Sequence, residues 1–334
     1  MKPSQVKHLV KLAHSIRQPL FIWGPPGVGK SAVVRQAAEE EGVELIDVRA
    51  TLLDPVDLRG VPITDPEKQQ AIWLPPSFLP RDGRGVLFLD ELNSAPPLVQ
   101  AACYQLVLDR RVGEYVLPEG WTVVAAGNRE GEGITHRMPA PLANRFAHLE
   151  FEVDLDEWVA WALSNGIEDE VIAFIRFRPN LLFQFDPTHY REKAFPTPRT
   201  WEKVSRFLTA LKRSQNGTHL TYEIARGCVG DGPAAEFTAF LNVYRQIPSF
   251  EEILLNPDAT PVPEEPSALY AIATMVASRV RKDSFPTVVR YLGRMPEEFQ
   301  VLAVKDALQH PEAKEIAHTR SFTEWASRHS SLLV

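Results

Sequence analysis

The octet GPPGVGKS, residues 24 to 31, directly follows the apolar run LFIW and precedes the helical pattern SAVVRQAAEE. It satisfies the pattern G-x-x-x-x-G-K-[ST] between a strand and a helix, which is the context of a phosphate-binding loop. Glycines let the backbone approach phosphates, and N–H groups at the start of the helix point at the anion. The sequence therefore predicts a nucleotide site made of Gly24, Pro25, Pro26, Gly27, Val28, Gly29, Lys30, Ser31 and Ala32.

Polar residues that follow two later apolar runs complete this prediction. In VLFLDEL the apolar run is followed by Asp90 and Glu91, and in VVAAGN it is followed by Asn128. Ligands of open α/β sheets bind at the carboxyl ends of the strands. We expect Lys30 to contact the β- and γ-phosphates of ATP, Ser31 and Asp90 to hold Mg²⁺, and Glu91 to activate the attacking water. Asn128 could orient that water, although an asparagine there could also simply begin a turn.

The two halves of the chain have different patterns. Up to about residue 153, five short apolar runs alternate with helical segments, which predicts a parallel five-stranded sheet covered on both faces. After Asp154 the pattern is helical only, with proline-rich joints such as LLNPDATPVPEEPS. The expected fold is an α/β nucleotide-binding core followed by an all-helical region.

Composition narrows the choice of partners. The net charge of −7 and the absence of a strongly basic stripe disfavour nucleic acid. Two distant cysteines support neither disulfides nor a zinc site. No apolar window approaches the roughly 18 residues that span a bilayer, so we expect a cytoplasmic protein without membrane contact.

The order of GPPGVGKS, LFLDEL, AAGN, PLANRF and TPRTW resembles AAA+ ATPases, more narrowly the MoxR-type group of the clade with an insertion in its second helix. The resemblance covers about residues 18 to 215. It implies that Asn128 acts as sensor 1, Arg145 as an arginine finger that reaches the neighbouring subunit, and Arg199 as the sensor-2 arginine. Arg129 and Arg137 are further finger candidates.

The resemblance also implies a division of the chain. Residues 1–153 would form the P-loop core, with the insertion at about 50–80, residues 154–215 the helical lid, and residues 216–334 a C-terminal helical region of unknown role. Trp73 and Ile72 in the insertion would either grip a partner or pack locally.

Members of the MoxR-type group are ring-forming ATPases, so the resemblance implies a homo-oligomer, expected to be a hexamer, that acts as a remodelling chaperone. It also implies a protein partner, with a von Willebrand factor A domain as the leading candidate. Two alternatives stay open at this stage. One is a nucleic-acid motor, and the other is an ATP-gated binding scaffold with slow turnover.

Overall fold

The computed structural model describes residues 1–65, 67, 70–129, 131–132, 136, 138–186, 193–214 and 218–330. The chain forms two compact units. The first comprises Met1–Asp154 and Asp186, and the second comprises the other described residues from Leu155 onward. Each unit contains an apolar core of its own.

The first unit is an α/β layer structure. Its helices are α1 Pro3–Ile16, α2 Lys30–Glu41, α3 Pro55–Arg59, α4 Pro97–Asp109 and α5 Ala140–Ala143. Its strands are β1 Leu20–Trp23, β2 Glu44–Arg49, β3 Val61–Asp65, β4 Gln70–Leu74, β5 Arg84–Asp90, β6 Arg111–Val112, β7 Tyr115–Val116, β8 Gly120–Gly127 and β9 Ala147–Glu150.

The main sheet has five parallel strands in the order β2-β5-β8-β1-β9. Each of the five apolar runs singled out in the sequence forms one of these strands, so the expected parallel sheet is confirmed. Strand β1, the first in the chain, lies between β8 and β9. Its carboxyl end is therefore beside that of β8. Trp23 pairs in register with Gly127 at this edge.

Burial on both faces explains why the central strands β1, β5 and β8 are apolar along most of their length, whereas the outer strands β2 and β9 carry exposed charged residues. Leu87 and Leu89 of β5 share a core with Val99 and Cys103 of α4. Phe88, which points to the opposite face, is buried as well. Helices α1 and α2 contact β8 and β5. A sheet covered on both faces favours continuous apolar runs over alternating ones.

Two small antiparallel hairpins were not expected from the sequence. β3 pairs with β4 inside the segment anticipated as an insertion, and β6 pairs with β7 after α4. The first hairpin has Pro62 on one strand, which breaks the usual strand pattern. The insertion is therefore ordered by backbone pairing in the part of it that the structure describes.

The second unit is helical in every secondary-structure element that the structure describes, as the sequence predicts. Its helices are α6 Leu155–Ser164, α7 Asp169–Phe177, α8 Pro198–Arg213, α9 Thr221–Val229, α10 Asp231–Tyr244, α11 Phe250–Leu255, α12 Pro266–Arg279, α13 Phe285–Leu292, α14 Glu297–Gln309 and α15 Arg320–Arg328. Helix α12 contacts both α7 and α14. The finer division near residue 215 into a lid and a C-terminal region stays a prediction.

A buried ion pair connects α7 to α14. Arg176 donates to both carboxylate oxygens of Asp306, at 2.5 and 3.1 Å, and to Asp156 at 2.5 Å. The side chains of Arg176 and Asp306 are only 6% and 5% exposed. A charge this deeply buried depends on its partner, because water cannot replace it.

We expect Arg176→Met to lower the free energy of unfolding by about 3–5 kcal/mol, since Asp306 would be left buried without a counter-charge. Urea unfolding followed by circular dichroism measures this change. Arg178→Met is the matched control, because its ion pair with Glu236 is half exposed and should contribute less than about 1 kcal/mol. Adding Asp306→Leu to Arg176→Met should restore most of the loss, and an equal loss in the control would contradict the argument.

Candidate nucleotide site

The loop between β1 and α2 is shaped to hold an anion. It leaves the sheet at Gly24, whose N–H donates to the carbonyl of Gly127 at 3.2 Å, and it enters the helix at Lys30. Gly29, which precedes the helix, has φ +108°, a backbone conformation that residues with a Cβ rarely adopt. The backbone therefore turns directly into the first turn of α2, where N–H groups lack intrahelical acceptors.

Lys30 is bent back over this loop. Its side-chain nitrogen donates to the carbonyls of Gly24 and Pro25, at 2.5 and 2.9 Å, and to Oδ1 of Asn128 at 3.1 Å. The residue is only 8% exposed. An ammonium group held in this way is a fixed positive charge beside the phosphate-binding loop. Asn128, which follows β8, belongs to the same cluster, and its role toward the nucleotide stays a prediction.

Ser31 and Asp90 provide a pair of oxygens suited to a magnesium ion. The Ser31 hydroxyl donates to Oδ2 of Asp90 at 2.8 Å. Hydroxyl and carboxylate oxygens are the ligand types that Mg²⁺ takes in proteins, usually together with waters and substrate phosphates. The residues present therefore fit Mg²⁺ next to a bound nucleotide. Ser31 would bind the ion directly, and Asp90 would hold it directly or through water.

Glu91 has an unusual backbone for a residue with a side chain. Its φ is +56°, which costs about 1–3 kcal/mol and persists only where the surroundings impose it. Its N–H donates to Oδ1 of Asp90 at 3.0 Å, and its carboxylate accepts from the Thr51 hydroxyl at 3.2 Å. Two adjacent carboxylates thus point in different directions, Asp90 toward Ser31 and Glu91 toward Thr51.

Thr51 and Asn93 are site residues that the sequence did not reveal. Thr51 follows β2, whose last residue pairs with Asp90 in the sheet. Asn93 is buried and donates to the backbone carbonyl of Asn128 at 2.7 Å. A Cβ at Gly127 would come within 2.0 Å of the Asn93 side chain, so this position requires glycine. For Thr51, the available signal was a polar residue soon after β2, the strand next to β5. For Asn93, it was a polar residue buried beside β8.

The arginine candidates differ in their partners. Arg145 is exposed on the turn after α5, and its guanidinium has no hydrogen-bond or ion-pair partner within the described residues. Arg129 is held by Glu150 at 2.9 and 2.8 Å, through two of its nitrogens. Arg137 lies outside the described residues. Arg199 lies in the first turn of α8, exposed, in the second unit, and its role as a nucleotide contact stays a prediction.

The β3–β4 hairpin exposes apolar side chains. Val61, Ile63 and Leu74 are 62%, 39% and 48% exposed, and the register places them on one face together with the half-buried Ile72. Trp73, on the other face, is 38% exposed, and its backbone N–H donates to the Glu114 carboxylate at 3.3 Å. Clustered exposed apolar residues are typical of protein contact sites.

Comparison with known proteins agrees with this geometry. Residues 20–152 match the model of the AAA family, described as the ATPase family associated with various cellular activities. Over these residues the chain is similar to AAA ATPase domains. The matched segment includes the phosphate-binding loop, the acidic pair, Asn128 and Arg145.

Curated relatives align with about half of the chain. Midasin of Giardia intestinalis is 30% identical over 179 residues, which cover 50% of this chain and 4% of midasin. The Holliday junction branch migration complex subunit RuvB of Ligilactobacillus salivarius is 30% identical over 172 residues, 45% of each chain. The chain spans less than half the length of these relatives.

Solved structures that resemble the chain include NtrX of Brucella abortus in complex with ATP. It has a TM-score of 0.43 and 14% identity, and the match covers 99% of this chain and 68% of NtrX. A RuvB mutant of Thermotoga maritima has a TM-score of 0.39 and 15% identity, with 98% and 92% covered. In the described part of the chain, no helix has both the length and the apolar character that crossing a membrane requires.

We expect Glu91→Gln to bind ATP with nearly unchanged affinity while hydrolysis stalls, because the amide keeps the size of the side chain but cannot take a proton from water. Lys30→Ala is the matched variant and should lose nucleotide binding, since it removes the charge next to the phosphates. Calorimetric titration with ATP and a phosphate-release assay separate the two effects. Near-normal turnover of Glu91→Gln, or tight ATP binding by Lys30→Ala, would contradict these roles.

Proposed function

We propose that this protein is a Mg²⁺-dependent ATPase of MoxR type that works as a homo-oligomeric ring, a hexamer by resemblance, and remodels a protein partner. The observation that carries the proposal is the hydrogen-bonded cluster of Lys30, Ser31, Asp90 and Asn128 beside Glu91 at one edge of the parallel sheet. Hydrolysis requires these groups together, whereas nucleotide binding alone needs only the loop.

Each residue of the cluster has a separate task in this proposal. Lys30 balances the charge on the β- and γ-phosphates, while Ser31 and Asp90 hold Mg²⁺, which neutralises charge that develops during phosphoryl transfer. Glu91 accepts a proton from the attacking water once its carboxylate leaves Thr51. Asn128 keeps Lys30 in place and orients the water.

The ring part of the proposal is supported by the environment of Arg145. Lys30 is a cation that is hydrogen-bonded within this cluster. Phosphoryl transfer is usually assisted by a second cation, an arginine finger. Arg145 is exposed and unpartnered within the described residues, so its guanidinium is available to a neighbouring subunit. Head-to-tail contacts of identical chains close into rings when the rotation permits.

A protein is the partner class that the exposed hairpin favours. The described part of β3 and β4 presents apolar side chains, and the chain carries a net charge of −7, which opposes contact with a polyanion. By resemblance the partner contains a von Willebrand factor A domain. The similarity to RuvB favours a DNA motor as a second candidate, and tight, salt-dependent DNA binding would raise it above the first.

We expect ATP turnover per subunit to collapse when the protein is diluted from micromolar to nanomolar concentration, because an active site shared between subunits is lost on dissociation. Turnover is measured alongside the mass of the particles in solution. Constant turnover at concentrations where the protein is monomeric would refute the shared site and, with it, the ring ATPase.

We expect Arg145→Ala to bind ATP normally while turnover falls by about 10³, the scale of an arginine finger. Arg129→Ala is the matched control from the same domain. Its guanidinium already pairs with Glu150, so its loss should change turnover less than about fivefold. Steady-state kinetics with ATP binding checked separately tests both, and a larger loss in Arg129→Ala would transfer the finger role to Arg129.

A further inference from the structure

The imidazole of His148, on β9, forms two hydrogen bonds that neither the motifs nor the proposed chemistry uses. Its Nδ1 accepts from the indole Nε1 of Trp23 at 2.8 Å. Its Nε2 lies 2.9 Å from the carbonyl oxygen of Ala143. Since an indole can only donate and a carbonyl can only accept, the neutral ring carries its proton on Nε2. His148 therefore connects β1 to the end of α5.

The Ala143 carbonyl belongs to the turn that carries Arg145. The same oxygen accepts from the Phe146 N–H at 3.1 Å, and this bond closes the turn across Asn144 and Arg145. A carbonyl oxygen has two lone pairs and can accept both bonds. Helix α5 has only four residues, so this turn depends on bonds from outside the helix. His148 supplies one of them.

The Trp23 side of the bridge leads to the phosphate-binding loop. Trp23 directly precedes Gly24, whose carbonyl accepts from Lys30. The indole stacks on the His148 ring with centroids 5.9 Å apart and an angle of 24°. The centroid of the Phe21 ring lies 4.2 Å from that of the Trp23 ring and 5.5 Å from that of the Phe146 ring. An aromatic cluster thus fills the space between the loop and the Arg145 turn within one domain.

We propose that His148 is a positioning residue that sets the direction of Arg145 by bonding its turn to the strand that ends in the phosphate-binding loop of the same subunit. The inference rests on the proposed function, since it assumes that Arg145 acts on the nucleotide of a neighbouring subunit. An exposed arginine on the turn after a four-residue helix has many orientations, and catalysis needs one. A misplacement of about 1 Å can cost up to about 100-fold in rate.

The test variant is His148→Phe, which keeps an aromatic ring against Trp23 and Phe146 and removes both hydrogen bonds. We expect kcat to fall about 10-fold and KM to change less than about twofold, because the groups that bind ATP in the same subunit are untouched. His8→Phe, at an exposed histidine of α1, is the control and should leave both constants unchanged. Turnover of His148→Phe equal to the wild type would overturn the proposal.

Mixing subunits separates positioning of Arg145 from damage to the fold or to the subunit's own site. Lys30→Ala cannot bind nucleotide but keeps an intact Arg145 and His148, whereas His148→Phe has an intact nucleotide site. In a 1:1 mixture, about a quarter of the interfaces pair an intact nucleotide site with an intact Arg145 and His148. Turnover should therefore rise to about a quarter of the wild-type value, above the sum of the turnovers of the separate proteins. A variant that is misfolded, or that impairs its own site, gives no such rise.

A second mixture, Arg145→Ala with Lys30→Ala, tells the two possible failures apart. If it gains turnover and the His148→Phe mixture does not, Arg145 acts across the interface and the role of His148 is refuted. If neither mixture gains turnover, the shared active site fails and the inference about His148 falls with it. Gains of similar size in both mixtures support His148 as the residue that positions Arg145.

Discussion

Parallel pairing of β1, β5 and β8 brings the carboxyl ends of three strands to one edge of the sheet, and every candidate catalytic group of the first domain except Arg145 is placed by that edge. Asp90 ends β5, Asn128 follows β8, and Gly24 follows β1. The distances between these residues along the chain are large, yet the register leaves them within hydrogen-bond reach of the first two residues of α2. Antiparallel strands would have sent the ends of β5 and β8 to opposite edges.

The polar groups at this edge hold one another in place. The Lys30 ammonium lies among backbone carbonyls and the Asn128 amide, and Ser31 bonds Asp90. A fixed charge in a partly dry site stabilises developing charge without reorganising at the moment of reaction, which is the main advantage of such sites over water. Glu91 is the exception, since its carboxylate bonds Thr51 and its backbone has a positive φ. In the proposed reaction this carboxylate has to leave Thr51 before it can accept a proton from water.

Local patterns explain which parts of the fold were predictable. The central sheet strands β1, β5 and β8 are nearly continuous apolar runs. The phosphate-binding loop is a motif whose backbone geometry demands glycine and a following helix. The same reasoning missed the β3–β4 hairpin, because β3 contains Pro62 and both strands expose apolar residues on a solvent face. Helices were recognisable in the second unit, but their pairing was not, since Arg176 and Asp306 are 130 residues apart.

The residues that sequence reasoning missed at the site share one property. Thr51, Asn93 and His148 act through contacts with residues far away in the chain, and none belongs to a spacing pattern. Motifs identify groups that touch the nucleotide, because its shape imposes a fixed spacing on them. Residues that orient those groups are constrained only by the surrounding packing, so many residue types and positions can do the same work. Arg129 and Arg145 illustrate the point, since within the described residues the Arg129 side chain pairs with Glu150 and Glu132, whereas the Arg145 side chain is unpartnered.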